Sequence, residues 1–552
     1  MTSMEECVRT PELIENIISY LGHNDQLACL QVNSTWKRLA TPHVVRWSIQ
    51  YLKDGTYSPH FKRLQECKEA QETLQRNLGY VQDLNIYQPS AVPFFGGSDM
   101  LVNLAKLYYG PHQHDPECTI QILEIIRKNP RLRTVAFYGS PFYGPDGVSV
   151  ERLAAALQPL TQLTNLEFKP WSDFNVADMK LLLDAFPKGA LKSLRMKVNI
   201  RDDNLYRNVK ALSSSTGDSN DPYVESATTP LMDLETLSIV MMSEHGQGDT
   251  TMLYRPLVFP ILRRCPNLKC LSVSALETGD IAELSTIFQK TCPLIERLKF
   301  HSHHRNLDER ACADLILNCP RVRRIKSWFS SAWDMTEFVP RIIRHQDSCL
   351  RIEELYLNTT HGTRTSEWMQ RLFCSMPNLR VYKQSIDPDA DRAAHLNICD
   401  MVRSRWVCTK LEKLYLALGS TSDWPEEEAE TGAPETLEQR KRKIRQVYQQ
   451  FGALKQLKEL GIRYDIQKKS PVHFDITIKT GLKALRPCMS SLRFLEILEV
   501  EGCQIGRKEL VWMENLGLTS GGILFTELHS ESEEDDGSDR EYVYEEDSEV
   551  DD

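Results

Sequence analysis

Three segments in the middle of the chain repeat one pattern at one interval. RRCPNLKCLSV begins at Arg263, KTCPLIERLKF at Lys290 and LNCPRVRRIKS at Leu317. Their Cys-Pro pairs start at Cys265, Cys292 and Cys319, 27 residues apart. Each pair precedes an apolar triplet of Leu-x-x-Leu-x-Leu type, and each triplet precedes a helical stretch such as 281–290 or 310–318. Proline ends the helix, and the triplet buries one face of a short strand. One strand and one helix cannot bury their apolar faces alone, so copies must stack into a continuous core.

Looser copies start at Val81, Leu132, Leu163, Leu191 and Leu234, and again at Ile352, Leu379, Leu411, Leu457 and Leu495. Wider spacing toward the ends implies insertions, of which 213–230 (SSSTGDSNDPYVESATTP) and 420–435 (STSDWPEEEAETGAPE) read as disordered loops. The pattern resembles the leucine-rich repeat. That resemblance implies an α/β solenoid over 81–529, with parallel strands on the concave face and helices on the convex face. Residues 51–80, with a helical segment over 58–80, read as a linker and N-terminal cap for the solenoid's open end.

Ahead of the repeats, TPELIENIISYLGHNDQLACLQVNSTWKRLA (10–40) reads as three small helices. Thr10 and Pro11 make a helix start, and Leu13, Ile14, Ile17, Ile18 and Leu21 recur on one face. Gly22 stops that helix, and His23-Asn24-Asp25 supplies turn and cap chemistry for the next. Leu27, Ala28 and Leu30 give a second stripe; Val32, Trp36 and Leu39 give a third. Some thirty residues cannot bury this much apolar surface alone. Pro11-Glu12-Leu13, Ile17 to Leu21, Asp25-Gln26-Leu27 and Val32 followed by Trp36 resemble the F-box, assigned here to 8–50. The chain departs from the family pattern at Thr10 and Asn33, neither an apolar anchor. The resemblance implies docking on a Skp-type adaptor, and through it a cullin, by way of Pro11, Leu13, Ile14, Ile17, Ile18, Leu21, Leu27, Leu30, Val32, Trp36 and Leu39.

Residues between the buried leucines of a strand must face the other way. Read repeat by repeat, they give Arg297, Lys299 and His301, then Arg324, Lys326 and Trp328, then Tyr356, Lys383, Lys413 and Tyr415. This basic and aromatic row is the expected substrate-binding part of the concave face. It suits an acidic or phosphorylated protein segment. Earlier repeats offer a mostly neutral row: Glu167, Arg195, Ser238, Ser272 and Ser274.

The net charge of −10 is concentrated at one end. Ser530–Asp552 holds thirteen acidic residues and one arginine, so the rest of the chain is slightly basic. This 530–552 segment reads as a disordered acidic tail able to shield the basic row. Ser530, Ser532, Ser538 and Ser548 each have an acidic residue three positions on, which resembles acidophilic kinase sites. No apolar run or charged leader calls for a membrane. Fifteen cysteines in 552 residues fit a reducing cytoplasmic or nuclear setting. No nucleotide-binding, metal or hydrolase motif is present, and HQHDPEC (112–118) is a weak metal candidate, so neither catalysis nor a cofactor is expected. The expected role is the substrate-recognition subunit of a Skp/cullin ubiquitin ligase, a non-catalytic part that needs no nucleic acid. The alternative is an adaptor-independent leucine-rich-repeat scaffold.

Overall fold

The structure is a computed structural model. It describes residues 10–21, 23–44, 47–49, 66–97, 99–110, 115–138, 148–172, 176–186, 190–200, 231–243, 254–274, 278–302, 309–329, 336–358, 365–385, 396–418, 437–464, 482–499, 511 and 523–527. The expected loops 213–230 and 420–435 and the tail 530–552 lie outside the described residues.

Helices α1 (Pro11–Tyr20), α2 (His23–Cys29) and α3 (Ser34–Val44) form a small unit at the start. Pro11 opens α1, with Leu13 and Ile14 N–H groups bonding the Thr10 carbonyl. The unit has its own core of Ile14, Ile18, Cys29 and Ala40, with Leu21, Leu30, Trp36 and Leu39 packed around it. Inside it, the Gln26 amide donates to the Ile18 carbonyl at 3.0 Å.

Beyond it, the described strands form one sheet. Its sixteen strands are parallel and lie in the order of the sequence. They are Trp47–Ile49 (β1), Asp83–Ile86 (β2), Lys106–Tyr109 (β3), Thr134–Tyr138 (β4), Asn165–Ser172 (β5), Ser193–Ile200 (β6), Thr236–Ser243 (β7) and Cys270–Ser274 (β8). They continue as Arg297–Ser302 (β9), Arg324–Phe329 (β10), Glu354–Asn358 (β11), Val381–Ser385 (β12), Lys413–Leu418 (β13), Glu459–Tyr464 (β14), Phe494–Glu499 (β15) and Ile523–Glu527 (β16). Every repeat start named above leads into one of these strands except Leu495, which lies inside β15, so the α/β solenoid expected from the sequence is the observed fold. Three strands were not anticipated. β1 begins within the segment assigned to the small helical unit and pairs with β2, and β3 and β16 add a rung each. All three are short and lack a full Leu-x-x-Leu-x-Leu triplet.

The leading apolar residue of each copy anchors the turn into its strand. Leu132, Leu163, Leu234, Leu268, Val322, Leu379, Leu411 and Leu457 are buried, and each N–H bonds the carbonyl three residues back. Helix residues such as Ile122, Leu284 and Ile316 join these side chains in one continuous core. Leu74 and Leu78 belong to that core, so α4 (Lys68–Asn77) and the turn after it, which lie between β1 and β2 in the chain, pack with the repeats. Cys265, Cys292 and Cys319 are buried at helix ends, and burial pushes the Cys292 and Cys319 thiols up to about 12. They act as small apolar spacers. Asn129-Pro130 stands where those repeats have Cys-Pro, and Asn129 is fully buried.

One further regularity joins neighbouring repeats. The residue after each leading leucine accepts two N–H bonds at its carbonyl from the following repeat, as when Arg323 and Arg324 both donate to Glu296. From Lys192 these residues run Glu235, Lys269, Glu296, Arg323, Glu353, Arg380, Glu412 and Lys458, strictly alternating in sign. Their side chains pair across the repeats: Lys269 with Glu235 at 3.2 Å, Arg323 with Glu353 at 3.4 Å, and Glu412 with both Lys458 at 2.5 Å and Arg380 at 2.6 Å. Lys458 and then Arg380 hold the Glu412 carboxyl below its usual range. A depressed carboxylate stabilises the fold above its unfolded pKa, and that stabilisation is lost as pH falls through the folded value. Glu412→Gln should therefore cost about 1 kcal/mol near pH 7, with the gap to the unchanged chain closing as pH falls below the usual carboxylate range. Urea melts of both proteins across that range check this.

Candidate functional site

Two surfaces stand out, one on the small helical unit and one on the open face of the sheet.

On the helical unit, the expected docking residues separate into three groups. Ile14 and Ile18 are fully inside, so they hold the unit together and are corrected from surface to core. Helical periodicity marks both sides of α1 as apolar but does not say which side the neighbouring helices take. Leu21, Leu30, Trp36 and Leu39 are half-buried against that core. Leu13, Ile17, Leu27 and Val32 remain exposed, Ile17 by 45% and Val32 by 58%, and Pro11 is exposed at the start of α1. Tyr20 joins them at 85% exposure. Its aromatic ring was legible in the sequence, but at the end of α1 it lay off the main stripe. A unit this small exposing this many large apolar side chains is a contact surface without its contact.

On the sheet, the alternation expected from the triplets holds. Leu298 and Phe300 are buried while Arg297 and Lys299 are half-exposed, and the same inversion repeats along β11 and β13. The register aligns Ser272, Lys299, Lys326, Tyr356, Lys383, Tyr415 and Gly461 across seven successive strands. The Lys326 ammonium lies 5.5 Å from the centre of the Tyr356 ring. Lys383 lies between two rings, 6.0 Å from Tyr356 and 4.8 Å from Tyr415. The Tyr415 hydroxyl donates to Glu459 at 3.1 Å. Gly461 leaves room for that ring, since a Cβ there would stand 2.3 Å from Tyr415 Cδ1.

A second row on the same face, two residues earlier in each strand, is less basic than the sequence row suggested. Arg297 and Arg324 are register partners, but Arg324 pairs with Glu354 at 3.2 Å and Lys413 with Glu459 at 2.8 Å. Neither glutamate was counted among the facing residues, although each stands at the same repeat position as Arg297, Arg324 and Lys413. His301 and Trp328 share a third row, with side chains outside what the structure describes. So the cationic surface is narrower than expected and centred on Lys299, Lys326 and Lys383.

The earlier strands carry a feature that a neutral row did not foretell. Tyr138 lies 6.3 Å from both Tyr87 and Tyr108, ring centre to ring centre, and Lys169 stands 5.8 Å over its face. Lys169 also pairs with Glu167 at 3.0 Å. Partial burial raises the pKa of Tyr87 and of Tyr108. Tyr87 and Tyr138 share one offset from Val81 and Leu132 while Tyr108 sits two residues earlier in its repeat, so no single repeat position displays all three.

No group of three or more possible metal ligands occurs among the described residues. His112 and His114 lie outside them, and Cys118 is a buried helix residue whose thiol meets Asp115 at 3.1 Å, with burial raising it to about 12. No described helix is long and apolar enough to cross a membrane.

With this geometry in hand, comparison with known proteins bears on the helical unit. Residues 10–47 match the F-box domain. The segment is an F-box. The match ends at the first residue of β1, so the F-box passes into the sheet without a spacer between them. No curated protein sequence matches the chain. Among solved structures, one from a crystal structure of the Rad7 and Elc1 complex in yeast is similar over 95% of this chain and 98% of its own, at 12% identity and a TM-score of 0.35.

Proposed function

We propose that this chain is the substrate-recognition subunit of a Skp/cullin ubiquitin ligase. The F-box docks on a Skp-type adaptor, and the open face of the sheet holds a protein substrate. The observation that carries the reading is the exposed set Leu13, Ile17, Tyr20, Leu27 and Val32 on an F-box whose own core is already complete. An adaptor supplies the apolar cover that the unit lacks. The sheet contributes a rigid surface because every strand from β2 to β15 is pinned on both sides by its neighbours.

In this reading the chain accelerates ubiquitin transfer by placing a substrate lysine near a charged conjugating enzyme, which raises effective concentration. The described cysteines are all free, and most are buried, which supports work in the cytoplasm or nucleus. Capture of a purified Skp-type adaptor by the full chain tests the proposal. Failure of that capture, with the repeats folded, sinks it in favour of a free-standing scaffold.

A further inference from the structure

We propose that the row Lys299–Lys326–Tyr356–Lys383–Tyr415 binds an extended acidic peptide from a partner protein, laid across the strands, with anionic groups three residues apart. The inference rests on the reading of the open face as the substrate surface and names the substrate's chemistry. Adjacent parallel strands are about 4.8 Å apart, so an anion seated over Lys326 stays within reach of Lys299, while Lys326 and Lys383, two strands apart, are separated by about 10 Å. An extended chain advances about 3.1 Å per residue, so groups at positions i and i+3 span the same distance. A phosphoserine over Lys326 thus brings the group three residues on over Lys383.

The tyrosines fix this spacing. Tyr356 holds Lys326 and Lys383 against its ring, and Tyr415 holds Lys383 from the other side. Tyr415 is itself held by Glu459 and by the gap at Gly461. Lysines held in place before binding lose less rotamer freedom on meeting an anion. From Ser238 to Gly461 the row contains no carboxylate to compete. Beyond it the charge changes: Glu167 and Arg195 stand on one side and Glu496 on the other. The cationic stretch therefore has a finite length that matches a short segment.

Aromatic rings alternating with lysines also suit single-stranded nucleic acid, whose bases stack on the rings. Here the ring faces already carry lysine ammoniums, and Glu354 and Glu459 line the neighbouring row, where a phosphodiester backbone would meet them. Peptide is favoured on both counts.

The test uses the full chain without adaptor and fluorescence anisotropy of synthetic twelve-residue peptides. One carries two phosphoserines three residues apart, one carries them two apart, and one has plain serines; a twelve-nucleotide oligothymidine serves as competitor. The peptide with the three-residue spacing should bind about tenfold more tightly than the one with two, and plain serines should abolish binding. Lys383→Glu should erase the preference between spacings and Lys383→Arg should keep it. Lys326→Glu should weaken the three-residue peptide as well, and circular dichroism of each variant confirms the fold. Equal affinity for both spacings, indifference to Lys383→Glu and Lys326→Glu, or displacement by oligothymidine at lower concentration than by peptide would each overturn the proposal. Because no adaptor is present, a failed peptide experiment leaves adaptor docking standing, and a failed adaptor capture leaves the peptide result standing.

Discussion

Replacing Ile17 with aspartate should abolish capture of a Skp-type adaptor, lowering affinity by about 100-fold or more, while leaving the repeats folded. Ile17 lies on the open side of α1 and contributes nothing to the F-box core. A carboxylate there remains hydrated in the free protein, so the unit keeps its shape. In a complex, the same carboxylate is forced against apolar surface with no partner charge, and the desolvation penalty falls entirely on binding. Ile18 is one residue away and makes the opposite control. It is fully buried, so Ile18→Asp should unfold the F-box and lose adaptor binding for a trivial reason. Isothermal titration with purified adaptor, alongside circular dichroism, separates the two. Full binding by Ile17→Asp would remove the proposed docking surface.

The largest expected effect on stability comes from a single asparagine. Asn129 donates to the Leu101 and Ile125 carbonyls, each at 2.8 Å, and accepts from the Leu104 N–H at 3.1 Å. The amide thereby ties a helix end to the loop leading into β3, where the chain has no regular partner for those groups. Asn129→Ala leaves three buried polar groups unsatisfied and should cost about 3 kcal/mol. Cys292→Ala, at the equivalent point of a later repeat, removes only one weak thiol contact and should cost about 1 kcal/mol. Hydrogen exchange read at 101–109 checks the first, because loss should be concentrated in that segment before spreading along the stack. A similar cost for both substitutions would mean that the amide network contributes little.

Asn129 also shows where the sequence stops being readable. Its place in the repeat is visible, since Asn129-Pro130 aligns with Cys265-Pro266. That its amide reaches a loop 28 residues earlier depends on packing that no spacing encodes. The strands were legible because the Leu-x-x-Leu-x-Leu triplet tells both faces apart at once, and Lys299, Lys326, Tyr356, Lys383 and Tyr415 were read correctly as facing away from the core. What pattern reading lacked was pairing between repeats. It counted Arg324 and Lys413 as available cations because Glu354 and Glu459 lie 30 and 46 positions along the chain. On the F-box, period alone marked Ile14, Ile17 and Ile18 as equivalent, and only the path of α3 decides which of them goes inside.

The alternation of charge from Lys192 to Lys458 gives the array a parity. Its sign repeats every second unit, although the backbone repeats every unit. Removing the single repeat that contains Arg323 brings Glu296 beside Glu353, and two like charges meet where opposite ones belong. Removing two consecutive repeats, those containing Arg323 and Glu353, brings Glu296 beside Arg380 and keeps the order intact. A one-repeat deletion should therefore melt at lower temperature than the two-repeat deletion, even though it retains more of the core. Adding about 1 M salt should narrow the difference. Such an array is free to grow or shrink in pairs, and each odd step carries an electrostatic fault at the joint.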